Sequence, residues 1–139
     1  MLTQLSEINL GIDIDFGSPA RLFLSEMKLV LYLERDESTV FSQKQTLPDE
    51  VLLLFAGCIY HSFGPPTAVN ICTHRYASIG LMPYKLYSVS NSEIIRGFME
   101  SDLSLKASDS ILNHYIIPLG DDTLEVICHK FSVHVEKRK

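Results

Sequence analysis

The sequence predicts an α+β domain: mainly antiparallel sheet, with one or two helices and a C-terminal β-hairpin. Three observations carry that expectation. Asn113 to Glu136 has the form of a hairpin, with a short apolar arm, His114 to Leu119, and a Gly120-Asp121-Asp122 turn. The return strand, Thr123 to Val135, is rich in Val, Ile, Phe and Thr. Ile8 to Phe16 alternates apolar and polar residues without a break. Finally, Ser90-Asn91-Ser92-Glu93 precedes Ile94, Ile95, Phe98 and Met99, which fall on one helical stripe.

Composition narrows the class. A chain of 139 residues, 46% hydrophobic, is long enough to bury a core as one domain, residues 1–139, without disulfides. The longest apolar run, Val51 to Tyr60, is about half the length of a membrane-spanning helix, so no membrane is expected. Met1 to Glu7 has neither the basic start nor the apolar centre of a signal peptide, and three cysteines form no disulfide framework. A reducing, cytoplasmic location is the expectation.

The net charge of −5 is unevenly placed. Residues 1–60 hold nine acids against four bases, and the remainder is balanced at eight against eight. Nucleic-acid binders show the reverse, a basic stripe or patch, so nucleic acid is not expected as a partner. The basic cluster Lys137-Arg138-Lys139 reads as a solvated tail. A basic protein fits the acidic first part.

Taken in order, the first strand is Ile8 to Phe16, with Ile8, Leu10, Ile12, Ile14 and Phe16 on one face. Its Asp13 and Asp15 lie two apart, the polar face of an amphipathic strand rather than a metal pair. Gly17-Ser18-Pro19 breaks it and offers a helix start, with Ser18 as N-cap. A helix over the next segment would put Arg21 in its first turn and Glu34 and Asp36 in its last, against the macrodipole at both ends. A strand over Met27 to Glu34 is therefore expected, with a polar turn at Arg35 to Ser38 and an edge strand over Thr39 to Gln45.

Pro48-Asp49-Glu50 looks like a helix start and Gly64-Pro65-Pro66 like a stop, which favours a helix over about Pro48 to Ser62. Val51 to Tyr60 has no polar face, however, and two strands meeting near Ala56-Gly57 fit it too. An apolar face that one chain cannot cover would mark a subunit or partner interface. Val69 to Tyr76 and Tyr84 to Val89 read as strands. Ser90 and Glu93 have capping-box spacing for a helix over about Asn91 to Ser101, and a Ser-rich loop, Leu103 to Ser110, leads to the hairpin. Within the return strand, Leu124, Val126 and Cys128 have one parity and Phe131, Val133 and Val135 the other. A bulge near His129-Lys130 would keep both triplets on the core side.

Little of the sequence suggests chemistry. Cys58 with His61 and Cys72 with His74 supply ligand types that zinc accepts, but not at the spacing of a known finger or ribbon. The cysteines sit at no position that favours a thiolate. Phosphate loops, dinucleotide fingerprints and the G-x-S-x-G elbow are absent. No cofactor and no catalytic residue is expected.

Two passages carry a resemblance: Pro83-Tyr84-Lys85-Leu86-Tyr87-Ser88-Val89-Ser90-Asn91-Ser92-Glu93, and His114-Tyr115-Ile116-Ile117 followed by Asp121 to Ile127. They resemble segments of small bacterial proteins, some of toxin-immunity type. The resemblance implies a non-enzymatic protein. With the charge asymmetry, it leads to an interaction module that inhibits a basic toxin through Asp13, Asp15, Glu34, Asp36 and Glu37. Two rival expectations are a small-molecule or metal-binding protein using the Cys/His residues, and a homodimer formed through Val51 to Tyr60 or a sheet edge.

Overall fold

A computed structural model describes residues 2–36, 49–102 and 111–137. The strands are β1 (Gln4–Glu7), β2 (Ile14–Asp15), β3 (Arg21–Ser25), β4 (Lys28–Arg35), β5 (Glu50–Ala56), β6 (Tyr60–Gly64), β7 (Tyr87–Ser90), β8 (Asn113–Pro118), β9 (Thr123–Cys128) and β10 (Lys130–Glu136). Short 3-10 turns, Ala68–Thr73 and Ala77–Ile79, precede β7, and helix α1 (Glu93–Ser101) follows it. The fold is α+β, with antiparallel pairing throughout the ladders and the expected C-terminal hairpin. The first sheet has the order β1-β7-β8-β9-β6. The second is β10-β5-β4-β2, and β3 also pairs with β4.

The core lies between the sheets. Alternation on β4 and β5 sends Leu29, Leu31, Leu33, Val51, Leu53 and Phe55 inward, where they meet Ile117, Leu124, Val126 and Cys128 of the first sheet. The apolar residues of Ile8 to Phe16 all pack against this core, as their parity requires. The unbroken strand expected there does not form, and only Ile14–Asp15 joins a ladder. Gly11 has φ +72, and its N–H bonds back to Asn9 Oδ1 at 2.9 Å, a local turn that interrupts pairing.

The expected helix over Pro48 to Ser62 is corrected to two strands, β5 and β6, and the turn between them is at Gly57. Pro48 lies outside the described residues. Here the chain crosses from the second sheet to the first, and at the same corner β9 passes into β10 in the other direction. The bends run side by side, joined by His129 N–H to Ala56 O (3.1 Å) and Ile59 N–H to Ile127 O (2.9 Å). The parity slip around His129 is therefore a corner between sheets rather than a bulge within one. Phe131 and Val133 do reach the core, whereas Val135 is 39% exposed.

Other expectations also need correction. The helix start offered at Ser18-Pro19 does not form: Ser18 Oγ donates to Asp15 O and receives Glu34 N–H, leading the chain into strand β3. Val69 to Tyr76 is 3-10 turn, not strand, since Tyr87–Ser90 and β6 already flank the β8–β9 pair. Ser92, not Ser90, caps α1, with its Oγ receiving Ile95 N–H at 3.2 Å. Ser90 is the last residue of β7 and pairs with Gln4. The strand expected over Met27 to Glu34 is present as β4. The expected edge strand Thr39 to Gln45, the loop Leu103 to Ser110, Glu37 and Arg138-Lys139 lie outside the described residues.

Candidate functional site

Each sheet has an outer face, and the two are built differently. On the first sheet, Val89 opposes His114, which opposes Ile127, and Tyr87, Ile116 and Glu125 form the next row. The 3-10 segment covers these rows: Tyr76, Leu81, Tyr87, Val89 and Ile116 make a second apolar cluster, with Leu5 and Ile71 against it. Helix α1 reaches the same side through Phe98 against Tyr60 (ring centroids 5.8 Å apart). Every residue of β9 is consequently buried, including Glu125.

A buried carboxylate needs partners, and Glu125 has four donors. Arg75 forks onto it, with Nη1 to Oε1 at 2.8 Å and Nη2 to Oε2 at 2.6 Å. His74 Nε2 lies 2.8 Å from Oε1 and His114 Nε2 lies 3.0 Å from Oε2. Burial alone would raise the carboxyl's pKa, but the bonds from His114, His74 and Arg75, with the Arg75 charge, hold it well below the usual range. His74 Nδ1 receives Tyr76 N–H at 3.0 Å, so its Nε2 carries the proton toward the carboxylate. Ser92 Oγ lies 2.7 Å from His114 Nδ1; with the Nε2 proton of His114 given to the Glu125 carboxylate, Nδ1 is the acceptor and the Ser92 hydroxyl donates to it, while Oγ accepts from Ile95 N–H.

Ser92, His114 and Glu125 thus stand in line, the order in which a histidine activates a serine. The hydroxyl, however, is used on both sides, and Ser92 is only 4% exposed. Glu125 is shared with a guanidinium and a second imidazole. The same bonds tie the 3-10 segment (through His74 and Arg75) and the start of α1 (through Ser92) to the sheet.

The outer face of the second sheet has no such cover among the described elements. Its rows run across β4, β5 and β10: Lys28–Ala56–Lys130, Val30–Leu54–Ser132, Tyr32–Leu52–His134, and Glu34–Glu50–Glu136. Strand β3 adds Phe23 beside Val30 and Arg21 beside Tyr32. Phe23 is 56% exposed and meets Tyr32 edge-on at 5.5 Å; the Arg21 guanidinium sits 4.9 Å over the Tyr32 ring and bonds Glu50 Oε1 at 2.8 Å. The face is apolar in the middle, basic at one end and acidic at the other.

Four of the five acids singled out in the sequence gather at that acidic end. Asp15 is the ladder partner of Glu34, and Asp36 N–H bonds Asp13 O at 2.9 Å. Arg35 pairs with Asp49 at 3.5 Å in the same corner. Sequence reasoning offered Val51 to Tyr60 as an interface but could not pick out the outward Leu52 and Leu54, because alternation is invisible in a run whose two faces are both apolar. The Cys/His residues do not converge: Cys58 is buried, Cys72 and His61 are exposed, and His74 is spent on Glu125. Among the described residues no group of three or more His, Cys, Asp or Glu is placed to hold a metal. Burial pushes the Cys58 thiol up and, with Cys58 nearby, pushes Cys128 up to about 12, so neither favours a thiolate.

No helix among the described residues is long and apolar enough to cross a membrane. No family model, curated protein or solved structure matches the chain.

Proposed function

We propose that this chain is a non-enzymatic protein-interaction module that binds through the outer face of its second sheet. The observation that carries the reading is the apolar centre that no other described element covers, the exposed Phe23 with the half-buried Val30, Tyr32, Leu52 and Leu54, bounded at one end by Asp13, Asp15, Glu34 and Asp36. An apolar patch rimmed by charge is the usual form of a binding surface. The acidic end suits a partner with basic groups there, and an inhibitor of a basic toxin, masking the toxin's cationic surface, is the concrete form. The double use of the Ser92 hydroxyl and the sharing of Glu125 support a structural role for the buried polar cluster over a catalytic one.

The test is affinity capture from host lysate, with the wild-type chain beside a Leu52→Glu/Leu54→Glu variant, at low and high salt. One stoichiometric basic protein, held by the wild type, lost by the variant and weakened by salt, is the expected result. Binding that ignores both the substitutions and the salt sinks the reading.

A further inference from the structure

The covered side of the molecule holds a cavity that neither the Glu125 cluster nor the open face of the second sheet uses. Its volume is about 600 Å³, within the usual range for small-molecule sites, and β1, the 3-10 region and α1 all contribute to its lining. Leu2, Leu5, Tyr76 and Ile79 supply apolar surface, and Arg75 and Glu93 supply one charge of each sign. Leu5 and Tyr76 belong to the second apolar cluster, whereas Leu2 is 83% exposed and Ile79 41% exposed.

Arg75 is set in advance. Its fork onto Glu125 fixes the guanidinium, and the Tyr76 ring supports it, with Cζ 4.4 Å from the ring centroid. The fork takes two of five N–H groups, and the side chain remains 47% exposed. Donors are left for a second planar acceptor, and little ordering is needed to use them. Glu93 adjoins the same network. Arg75 bonds Glu125, Glu125 bonds His114, and His114 bonds Ser92, the residue before Glu93. The ionic partner of Glu93 is Arg96 at 4.0 Å, and the Glu93 side chain is 78% exposed.

We propose that this cavity binds a free α-amino acid with an apolar side chain. The carboxylate takes the remaining N–H groups of Arg75, the ammonium meets Glu93, and the side chain covers Leu2 and Ile79. Charge selects this class of ligand. Glu125 already balances Arg75, so a bare carboxylate would bring an added negative charge into a cavity that Glu93 also lines. A bare amine would suit Glu93 and leave the Arg75 donors idle. A zwitterion answers both groups and adds no net charge. The site uses no residue of the proposed binding face on the second sheet, so either can fail without the other.

The test is a titration of the full chain with L-leucine to about 10 mM, followed by amide NMR shifts, a range that suits a ligand of so few atoms. Saturable shifts are expected at Leu2 to Leu5, Tyr76, Ile79 and Glu93. Isocaproate, which lacks the amine, and isoamylamine, which lacks the carboxylate, should each bind at least about tenfold more weakly, since each loses a charge-assisted hydrogen bond. Glu93→Gln should weaken leucine about tenfold and leave isocaproate no weaker. Ile79→Asp, which puts a charge against the ligand's apolar side chain, should weaken leucine at least about tenfold. Both positions are exposed, and circular dichroism of each variant verifies the fold. No saturable shift, or shifts confined to residues away from the cavity, overturns the proposal. Equal binding of leucine and its two analogues overturns it too, as does leucine binding that both variants leave unchanged.

Discussion

The two outer sheet faces start from similar strands and end in opposite conditions. On the first sheet, Glu125 projects outward between His74, Arg75 and His114, and the 3-10 segment and α1 close over it. On the second, Glu34, Glu50 and Glu136 also project outward, and no other described element lies over the neighbouring apolar rows. On the first face the charged group is matched at close range by donors buried with it. On the second, Arg21 serves Glu50 from an exposed position, and the basic and acidic rows lie at opposite ends of the face. The difference teaches what burial demands: a carboxylate under a covering layer needs its donors in contact, whereas one at an outer sheet face does not.

The largest effect that would break this comparison is at neighbouring residues of β5. Phe55 is fully buried between the sheets, and Leu54 points the other way. Phe55→Ala should destabilise the fold by about 4 kcal/mol. Leu54→Ala should remove under ~1 kcal/mol, because its environment in the monomer is partly water already. Urea unfolding of both variants measures the contrast. Equal losses would mean that the outer face is as enclosed as the inner one.

The covered face is tested at Glu125. Glu125→Ala leaves the buried N–H groups of His74 and His114 and the Arg75 fork without their acceptor, and should destabilise by about 3 kcal/mol in urea unfolding. Its pH dependence follows from the lowered carboxyl. A carboxylate with a depressed folded-state pKa contributes stability that is fully present above its unfolded value, 4.5, and is lost as pH falls below it. The wild type should therefore lose stability below that value more steeply than Glu125→Gln. Parallel unfolding curves for the two proteins from neutral pH to strongly acid pH would remove Glu125 from its role as the anchor of the covering layer.

The corner joining the two sheets sharpens the comparison further, since it decides which residues of β5 and β10 turn outward. Gly57 has φ +65, and a Cβ there would lie 2.6 Å from His129 Cδ2. Gly57→Ala should cost about 2 kcal/mol, combining left-handed strain with that contact. Adding His129→Ala should relieve the Cδ2 contact but leave both the left-handed strain and a 3.0 Å approach of the residue-129 Cβ, so recovery should be only partial, about 1 kcal/mol or less by the same unfolding measurement. Full recovery would show that strain at Gly57 contributes nothing.

Much of this was legible in the residues, and the failures have physical causes. The parity slip between Cys128 and Phe131 revealed a change of direction, but parity does not distinguish a bulge from a passage between sheets. The alternation of Ile8 to Phe16 correctly located the core-facing side chains; it could not show that the Gly11 turn removes their ladder partners. Val51 to Tyr60 was ambiguous because both faces of β5 are apolar, one for the core and one for the open face, so no polar period remained to identify a strand. The acids of the site were visible as composition, and β2–β4 pairing brings Asp13, Asp15, Glu34 and Asp36 together. The Glu125 cluster was not visible, because its members come from separate segments and share no spacing.

The smallest expected effect lies at the free end of the open face. The β3–β4 hairpin turns through Glu26 and Met27, with φ values of 48 and 64, a two-residue turn with both central residues in the left-handed region. Asn-Gly adopts that conformation with the least strain. Met27 O must still receive Cys58 N–H at 2.7 Å, and a backbone acceptor is unaffected by the side-chain change. The double substitution Glu26→Asn/Met27→Gly should therefore stabilise the fold by about 1 kcal/mol, read from urea unfolding. It should leave binding through the outer face of the second sheet within about twofold, since neither residue lies in the four rows of the face. A larger change in association would place the hairpin tip, where Met27 is 54% exposed beside Leu24, inside the contact and extend the open face beyond its charged rows.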